Sequence, residues 1–348
     1  MVVSARAWKS SQVNDPTLVE TLRGDLVESA HRGAFVVVDA DGATIARGGD
    51  VERPVFPRSA VKLIQALPLV ESGAADTLGF GNRELAMACS SHSSEPRHVE
   101  AARAMLQAAG LGEDALECGA HWPLFTKAPL IDLARSGEDP TPLHNNCSGK
   151  HAGFLCTCAH ERIEPDGYTS PDHAAMQRAR DALQDVTGEP HSDERMGIDG
   201  CNIPTWAVPL VSLARAFARI GTGVGLGRER SKAARRLLAA AMAEPFYTAG
   251  TRRFDTRVME VAPNALYAKV GAEGVYCAAV PGEGVGIALK MEAGGVPAAE
   301  VALAAILCRV LEGAHAEAVG AMAHRTLRNW NGVEVGAMRP TAALNWAR

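Results

Sequence analysis

Ser59 and Lys62 are the first pair in this sequence whose types and spacing could do chemistry. They stand three residues apart at the head of SAVKLIQALPLVESG, where Val61, Ile64 and Leu67 recur at helical spacing. Positions i and i+3 share a helix face, so the lysine amine can reach the serine hydroxyl. A desolvated, neutral lysine can take that proton and leave a serine nucleophile. N–H groups at the helix start can then face the negative charge that develops on a substrate. The chain holds 7 lysines, 28 arginines and 16 serines, so about 0.3 Ser-x-x-Lys matches arise by chance. Taken alone, the motif reads more simply as an N-capping serine beside a solvated lysine.

Three dense polar segments interrupt an alanine-rich background. CSSHSSEPRH (89–98) is a serine- and histidine-rich loop leading into a helix, and Ser94, Glu95 and Pro96 suit a helix start. LHNNCSGKHAGF (143–154) places Cys147 and Lys150 three apart, and GIDGCNIPTW (197–206) carries Asp199 and Cys201 in a turn-rich loop. Two thiolates are good soft ligands for zinc, and an open site needs one more protein ligand. His144, His151, Lys150 and Asp199 are the candidates, with histidine the default on chemistry alone.

The elements that must position these residues alternate in kind. Asp15-Pro16 suits the start of a helix reaching about Gly33. AFVVVDA, Asp41-Gly42 and ATIARG predict a β-hairpin. Pro68 should kink or break the helix that begins at Ser59. Helical patterns follow near 95–109, 149–161, 171–187, 205–220 and 227–243, with Ser170-Pro171 as a cap-and-proline start. Strands return in LYAKVGAEGVYCAAV and, after a PGEG turn, VGIALKM; helices are expected over about 297–313 and 315–327. This order predicts an α+β fold. Residues 1–75 and 250–348 would form an antiparallel sheet domain from both chain ends, around a mainly helical insertion over 76–249.

A length of 348 residues, 47% hydrophobic and 22% charged, is ordinary for a globular protein. A net charge of -5 gives no electrostatic reason to expect nucleic acid or an anionic membrane as partner. MVVSARAWKSSQVNDP lacks the apolar core of a signal peptide, and no apolar run reaches membrane-spanning length. The expectation is a cytoplasmic protein whose eight cysteines are reduced.

With these residues assembled, the chain resembles the rhizobial-type, zinc-containing L-asparaginases. The matching strings are RSAVKLIQALPLVESGA, CSSHSSEPRHV, HNNCSGKHAGFL, GIDGCNIPTWAVPL and AKVGAEGVY. They run in the family's order over most of the chain. The TGGTI-type threonine motif of other bacterial asparaginases is not visible. The resemblance implies a serine-β-lactamase/glutaminase-like fold (an αβα sandwich), a homodimer, and hydrolysis of L-asparagine to L-aspartate and ammonia. It implies Ser59 with Lys62 and Ser91 with Lys269 as two Ser-Lys tandems, Ser59 being the nucleophile. It also implies zinc held by Cys147, Lys150 and Cys201, with Asp199 behind them. Arg58, His92 and Glu95 are suited to hold the substrate's carboxylate and ammonium. Two other readings compete: a different Ser-x-x-Lys hydrolase acting on a β-lactam, peptide or ester, and a non-catalytic zinc-stabilised binding protein. The second would leave Ser59, Lys62, Ser91 and Lys269 without a purpose.

Overall fold

The computed structural model describes residues 14–346. One antiparallel sheet dominates it. Its strands are β1 (Thr17–Arg23), β2 (Leu26–Asp39), β3 (Thr44–Gly48), β4 (Tyr267–Gly271), β5 (Val275–Val280), β6 (Val285–Met291), β7 (Arg325–Arg328) and β8 (Glu334–Pro340). They lie in the order β7-β8-β1-β2-β6-β5-β4, with β3 paired to the far half of β2. Both ends of the chain therefore build the sheet, and the α+β expectation holds.

Among the helices, in chain order, are the short α1 (Lys62–Gln65) and α2 (Leu67–Glu71), then α3 (Asn82–Ala88), α4 (Pro96–Ala108) and α5 (Lys127–Ser136). Then come α6 (Ser148–Glu161), α7 (Ala174–Thr187), α8 (Leu210–Thr222), α9 (Arg228–Ala243) and α10 (Phe254–Val261), all between β3 and β4. After β6 follow α11 (Val296–Val310) and α12 (Gly313–Gly320).

Continuous burial of Gly33–Val38 and of all of β5 means that both sheet faces are covered. Helix α8 covers one face and α11 the other. Gly286 lets α8 lie close, since a Cβ there would stand 2.0 Å from the Ala214 carbonyl oxygen. No helix among the described residues is long and apolar enough to cross a membrane.

The expected helix over 16–33 is instead the β1–β2 hairpin. Gly24, with φ 57, turns the chain so that Arg23 pairs with Leu26. Irregular register at Thr17–Val19 and Thr21–Leu22 breaks strict alternation, so Leu18 and Val19 are both buried and the segment imitates a helical pattern. At the other end, the helix expected over 315–327 stops at Gly320, and β7 and β8 follow. Strand β7 is polar and mostly exposed, and β8 is only partly buried with Gly336 and Pro340 in it, so both give little strand signal. Helices α3, α5 and α10 were not foreseen. The 171–187 helix starts at Ala174, where the His173 ring, not Ser170, accepts the Ala175 N–H. The 205–220 helix starts at Leu210, behind two short strands. The hairpin at Asp41-Gly42 and the break at Pro68, which separates α1 from α2, are as expected.

Candidate active site

Ser59 does not cap its helix. Pro57 takes the cap position, Arg58 has φ 51, and Ser59 sits inside a tight 3-10 turn, Arg58–Val61, that feeds α1 at Lys62. A non-glycine residue held at positive φ is strained, and such strain gathers at functional sites. The turn packs on the end of β4 because Gly271 has no Cβ; one would lie 2.5 Å from the Pro57 carbonyl oxygen and 3.3 Å from the Ala60 nitrogen. The Ala60 N–H is already donated to Pro57. Ser59 stands half-buried on the wall of a cavity of about 700 Å³ that Ser91, Asn146, Gly271 and Ala272 also line.

Lys62 is fully buried and gathers three partners. Its Nζ lies 2.8 Å from Ser91 Oγ, 3.1 Å from Cys147 Sγ and 2.5 Å from the Ser90 carbonyl oxygen. Burial pulls its pKa below the ordinary lysine value against the opposing Cys147 charge, and the Lys150 cation lowers it further. A neutral amine has two N–H bonds and one lone pair. The Ser90 carbonyl can only accept, and Cys147 is held as a thiolate, so those two take the N–H bonds. When the amine is neutral, its lone pair would then face the Ser91 hydroxyl; when it is charged, Nζ donates to Ser91 Oγ. In this structure Lys62 therefore meets Ser91, on the loop 89–95, more directly than Ser59.

That loop is held from several sides. Ser91 donates its N–H to Thr248, His92 donates its own to Asn146, and Ser94 Oγ donates to the His144 carbonyl. The His92 ring accepts the Ser94 N–H at Nδ1, which leaves Nε2–H to bond Ser148 Oγ at 2.9 Å. Burial, with His98 nearby, holds this ring neutral. Glu95 accepts from both the N–H and the hydroxyl of Thr251. His92 and Glu95 are thus engaged in fixing the loop.

Lys269, on β4, donates to the Val270 carbonyl and pairs with Asp255 at 3.6 Å. Burial lowers its pKa to about 7; Asp255 opposes the shift and the Lys62 charge adds to it. Asp255 is fully buried and also accepts from Tyr276 O–H at 2.7 Å and Val270 N–H at 3.2 Å. Sequence reasoning missed Asp255. Its one signal is an acid set among the apolar residues of FDTRVMEV, where a buried carboxylate needs partners.

The cysteine cluster adjoins Lys62. Cys147 caps the N-terminus of α6, and Cys201 is carried in the loop between short strands Met196–Ile198 and Pro204–Trp206. The Cys201 thiol hydrogen-bonds Cys147 and, with Lys62 and Lys150, draws the Cys147 pKa well down against burial. That same bond, together with burial, drives Cys201 up. Lys150 Nζ lies 3.0 Å from Cys201 Sγ. Burial would lower its pKa, yet the two sulfurs outweigh it and raise it to about 12. The pair is one thiolate and one thiol between two lysines.

Among the described residues no group of three or more His, Cys, Asp or Glu could hold a metal. A site here therefore needs Lys150. The His144 ring is bonded to Thr141 and the His151 ring to Tyr168. Once Lys150 and Cys201 give up their protons, two sulfurs in mutual contact and an amine against one of them would fit a soft tetrahedral ion. Behind them Arg58 grips Asp199 Oδ1 through Nη2 at 2.7 Å and Nε at 2.9 Å. Burial would raise the Asp199 pKa, but Arg58 and Lys150 outweigh it and keep the carboxylate charged.

A sequence profile described as L-asparaginase II matches residues 19–340. No curated protein matches the chain. Among solved structures, Mglu in its native form overlaps with TM-score 0.42 at 16% identity, covering 78% of this chain and 62% of its own. A β-lactamase, Mb2281c from Mycobacterium bovis, overlaps with TM-score 0.42 at 12% identity, covering 80% and 94%. The chain thus spans less than two thirds of that native-form Mglu chain, and overlap at this level transfers no residue role.

Proposed function

Because the chain belongs to the L-asparaginase II family, and is thereby an amidohydrolase, we propose that it hydrolyses the side-chain amide of L-asparagine to L-aspartate and ammonia. The observation that carries this reading is the buried Lys62 amine 2.8 Å from Ser91 Oγ, beside a cavity that Ser59 also lines. Ser59, the more accessible hydroxyl, attacks the amide carbon. Ser91, locked against Lys62, relays the proton to the amine. The tetrahedral intermediate collapses as the C–N bond breaks, and the proton returns to the departing ammonia. Water then cleaves the ester along the same proton path.

Arg58 and Asp199 offer a cation and an anion for the substrate's carboxylate and ammonium. Lys269, near neutrality, lends a second proton acceptor at the Ser91 loop. Cys147, Lys150 and Cys201 would hold zinc, which supplies a Lewis-acidic position for polar groups of the substrate. We place the enzyme in the cytoplasm as a homodimer, which sedimentation of the pure protein tests. Ammonia release from L-asparagine tests the activity. A protein that binds asparagine without releasing ammonia would reduce the reading to a binding module.

A further inference from the structure

The cavity that reaches Ser59 and Ser91 is much larger than free asparagine needs. About 700 Å³ lies in the range that holds drug-sized ligands, whereas asparagine has only nine heavy atoms by its formula. The surplus is not apolar. Arg252, Arg253, Arg257 and Arg325 line it, against one carboxylate, Glu300. Arg325 pairs with Glu300 at 3.5 Å. Among the described residues no carboxylate lies within ion-pair distance of the other three.

Arg253 stacks on the Phe125 ring at 3.7 Å, and its Nη1 is buried without a hydrogen-bond partner. Arg252 is held at φ 62. Burial and the Asp255 charge push Glu300 up to about 7, so near neutrality this one carboxylate offsets only part of the positive charge of four arginines. An asparagine zwitterion has no net charge and does not complement such a wall. A substrate with a second carboxylate does.

Arg58, next to Ser59 in the chain, and its partner Asp199, which feels the Lys150 charge, are the groups assigned above to the aspartyl end. The arginine wall comes from the turn before α10, from α10 itself and from β7, and is left for whatever the amide nitrogen carries. We propose that this wall is a subsite for a carboxylate on the leaving-group side of the scissile amide, so that the enzyme also hydrolyses β-aspartyl dipeptides. This rests on the asparaginase reading above. Ser59 Oγ forms an ester with the β-carbonyl carbon as the isopeptide C–N bond breaks. The relayed proton goes to the departing amine, a free amino acid leaves, and water cleaves the ester to give aspartate.

The test measures kcat/KM of the full chain on L-asparagine, β-aspartyl-glycine and β-aspartyl-glycinamide. The same three substrates are given to an Arg252→Gln, Arg257→Gln double variant. Both arginines are exposed, and a melting curve verifies that the variant folds. The dipeptide should be cleaved. Its kcat/KM relative to asparagine should fall about tenfold or more in the variant, the loss expected for a charge-assisted hydrogen bond. The glycinamide, lacking the carboxylate, should already be that poor with the native protein. If asparagine turns over while the dipeptide is neither cleaved nor competes, the subsite is wrong. An unmoved ratio in the variant, or a glycinamide as good as the acid, overturns it too. Should asparagine itself fail to react, the asparaginase reading falls and takes the subsite with it.

Discussion

At the residue scale the site is a contest between burial and charge over a few protons. Lys62 and Lys269 are driven toward the neutral amine by burial, while Lys150 is kept charged by the sulfurs against it. Without a bound metal, two lysines are therefore prepared to accept protons and the third is held charged by the sulfurs. Ser59→Ala and Ser91→Ala should both cost activity by about 10³-fold or more, since hydroxyls acting as one unit give non-additive losses. They should differ in one respect. A quenched Ser91→Ala reaction should still carry the β-aspartyl group on the peptide containing Ser59, whereas the reverse variant should carry none. A label on Ser91 would exchange the two roles.

The pH profile follows from the same balance. Lys269 accepts a proton only when neutral, so kcat/KM should rise through about pH 7 and level off above it. Asp255 raises the Lys269 value, so Asp255→Asn should move that limb toward acid. A profile falling from pH 6 to 8 would exclude a lysine base. The motif Ser59-x-x-Lys62 was legible in sequence because spacing alone reports a shared face. The contact from Lys62 to Ser91 was not, because it spans 29 residues of chain and depends on how loop 89–95 is tied to α6.

At the scale of elements, the site exists where pieces distant in sequence are allowed to approach. Gly271 is the clearest case, since Gly271→Ala puts a methyl group 2.5 Å from the Pro57 carbonyl and pushes β4 off the Ser59 turn. Overpacking of this kind costs about 1–3 kcal/mol, and here the shift falls on Ser59, the proposed nucleophile, so activity should drop at least tenfold at temperatures well below melting. Gly286→Ala makes a comparable clash with α8, remote from the serines. It should lower the melting temperature with little change in the turnover of the folded enzyme. Equal effects on activity from both would remove the special place given to β4.

The cysteine cluster joins the start of α6 to the loop after Met196–Ile198, and it yields a prediction at the same scale. Native protein should carry one zinc per chain, and Cys147→Ser and Cys201→Ser should lose it. Because the proposed chemistry runs through serines and lysines, chelation should mainly raise KM. Stoichiometric zinc surviving both substitutions would defeat the assignment, and loss of kcat at unchanged KM would defeat the division of labour.

For the whole molecule, the chain's two ends make the sheet and its middle makes the opposing wall of the site. The central strands were readable because Ala34–Val38, Val275–Val280 and Val285–Leu289 are long β-branched and alanine-rich runs with turn residues between them. The outer strands were not. Strand β1 is distorted by two register shifts, β7 is polar and mostly exposed, and β8 is only partly buried and carries Gly336 and Pro340, so pairing defines them more than composition does. The motif residues sit close to the readable strands and helix starts, which is why the candidate site was named before its walls. Asp255, Glu300 and the arginines that face the cavity come from stretches with no motif.

One measurement bears most directly on the proposed reaction: initial rates of ammonia release from L-asparagine by the native chain and by Lys62→Met. Ammonia and aspartate should appear in equal amounts with the native protein. With the variant, kcat/KM should fall about 10³-fold or more, the loss expected when a base and its nucleophile stop acting together. Folded Lys62→Met that retains more than a tenth of the native rate would contradict serine activation by this lysine, as would a native protein that releases no ammonia at all.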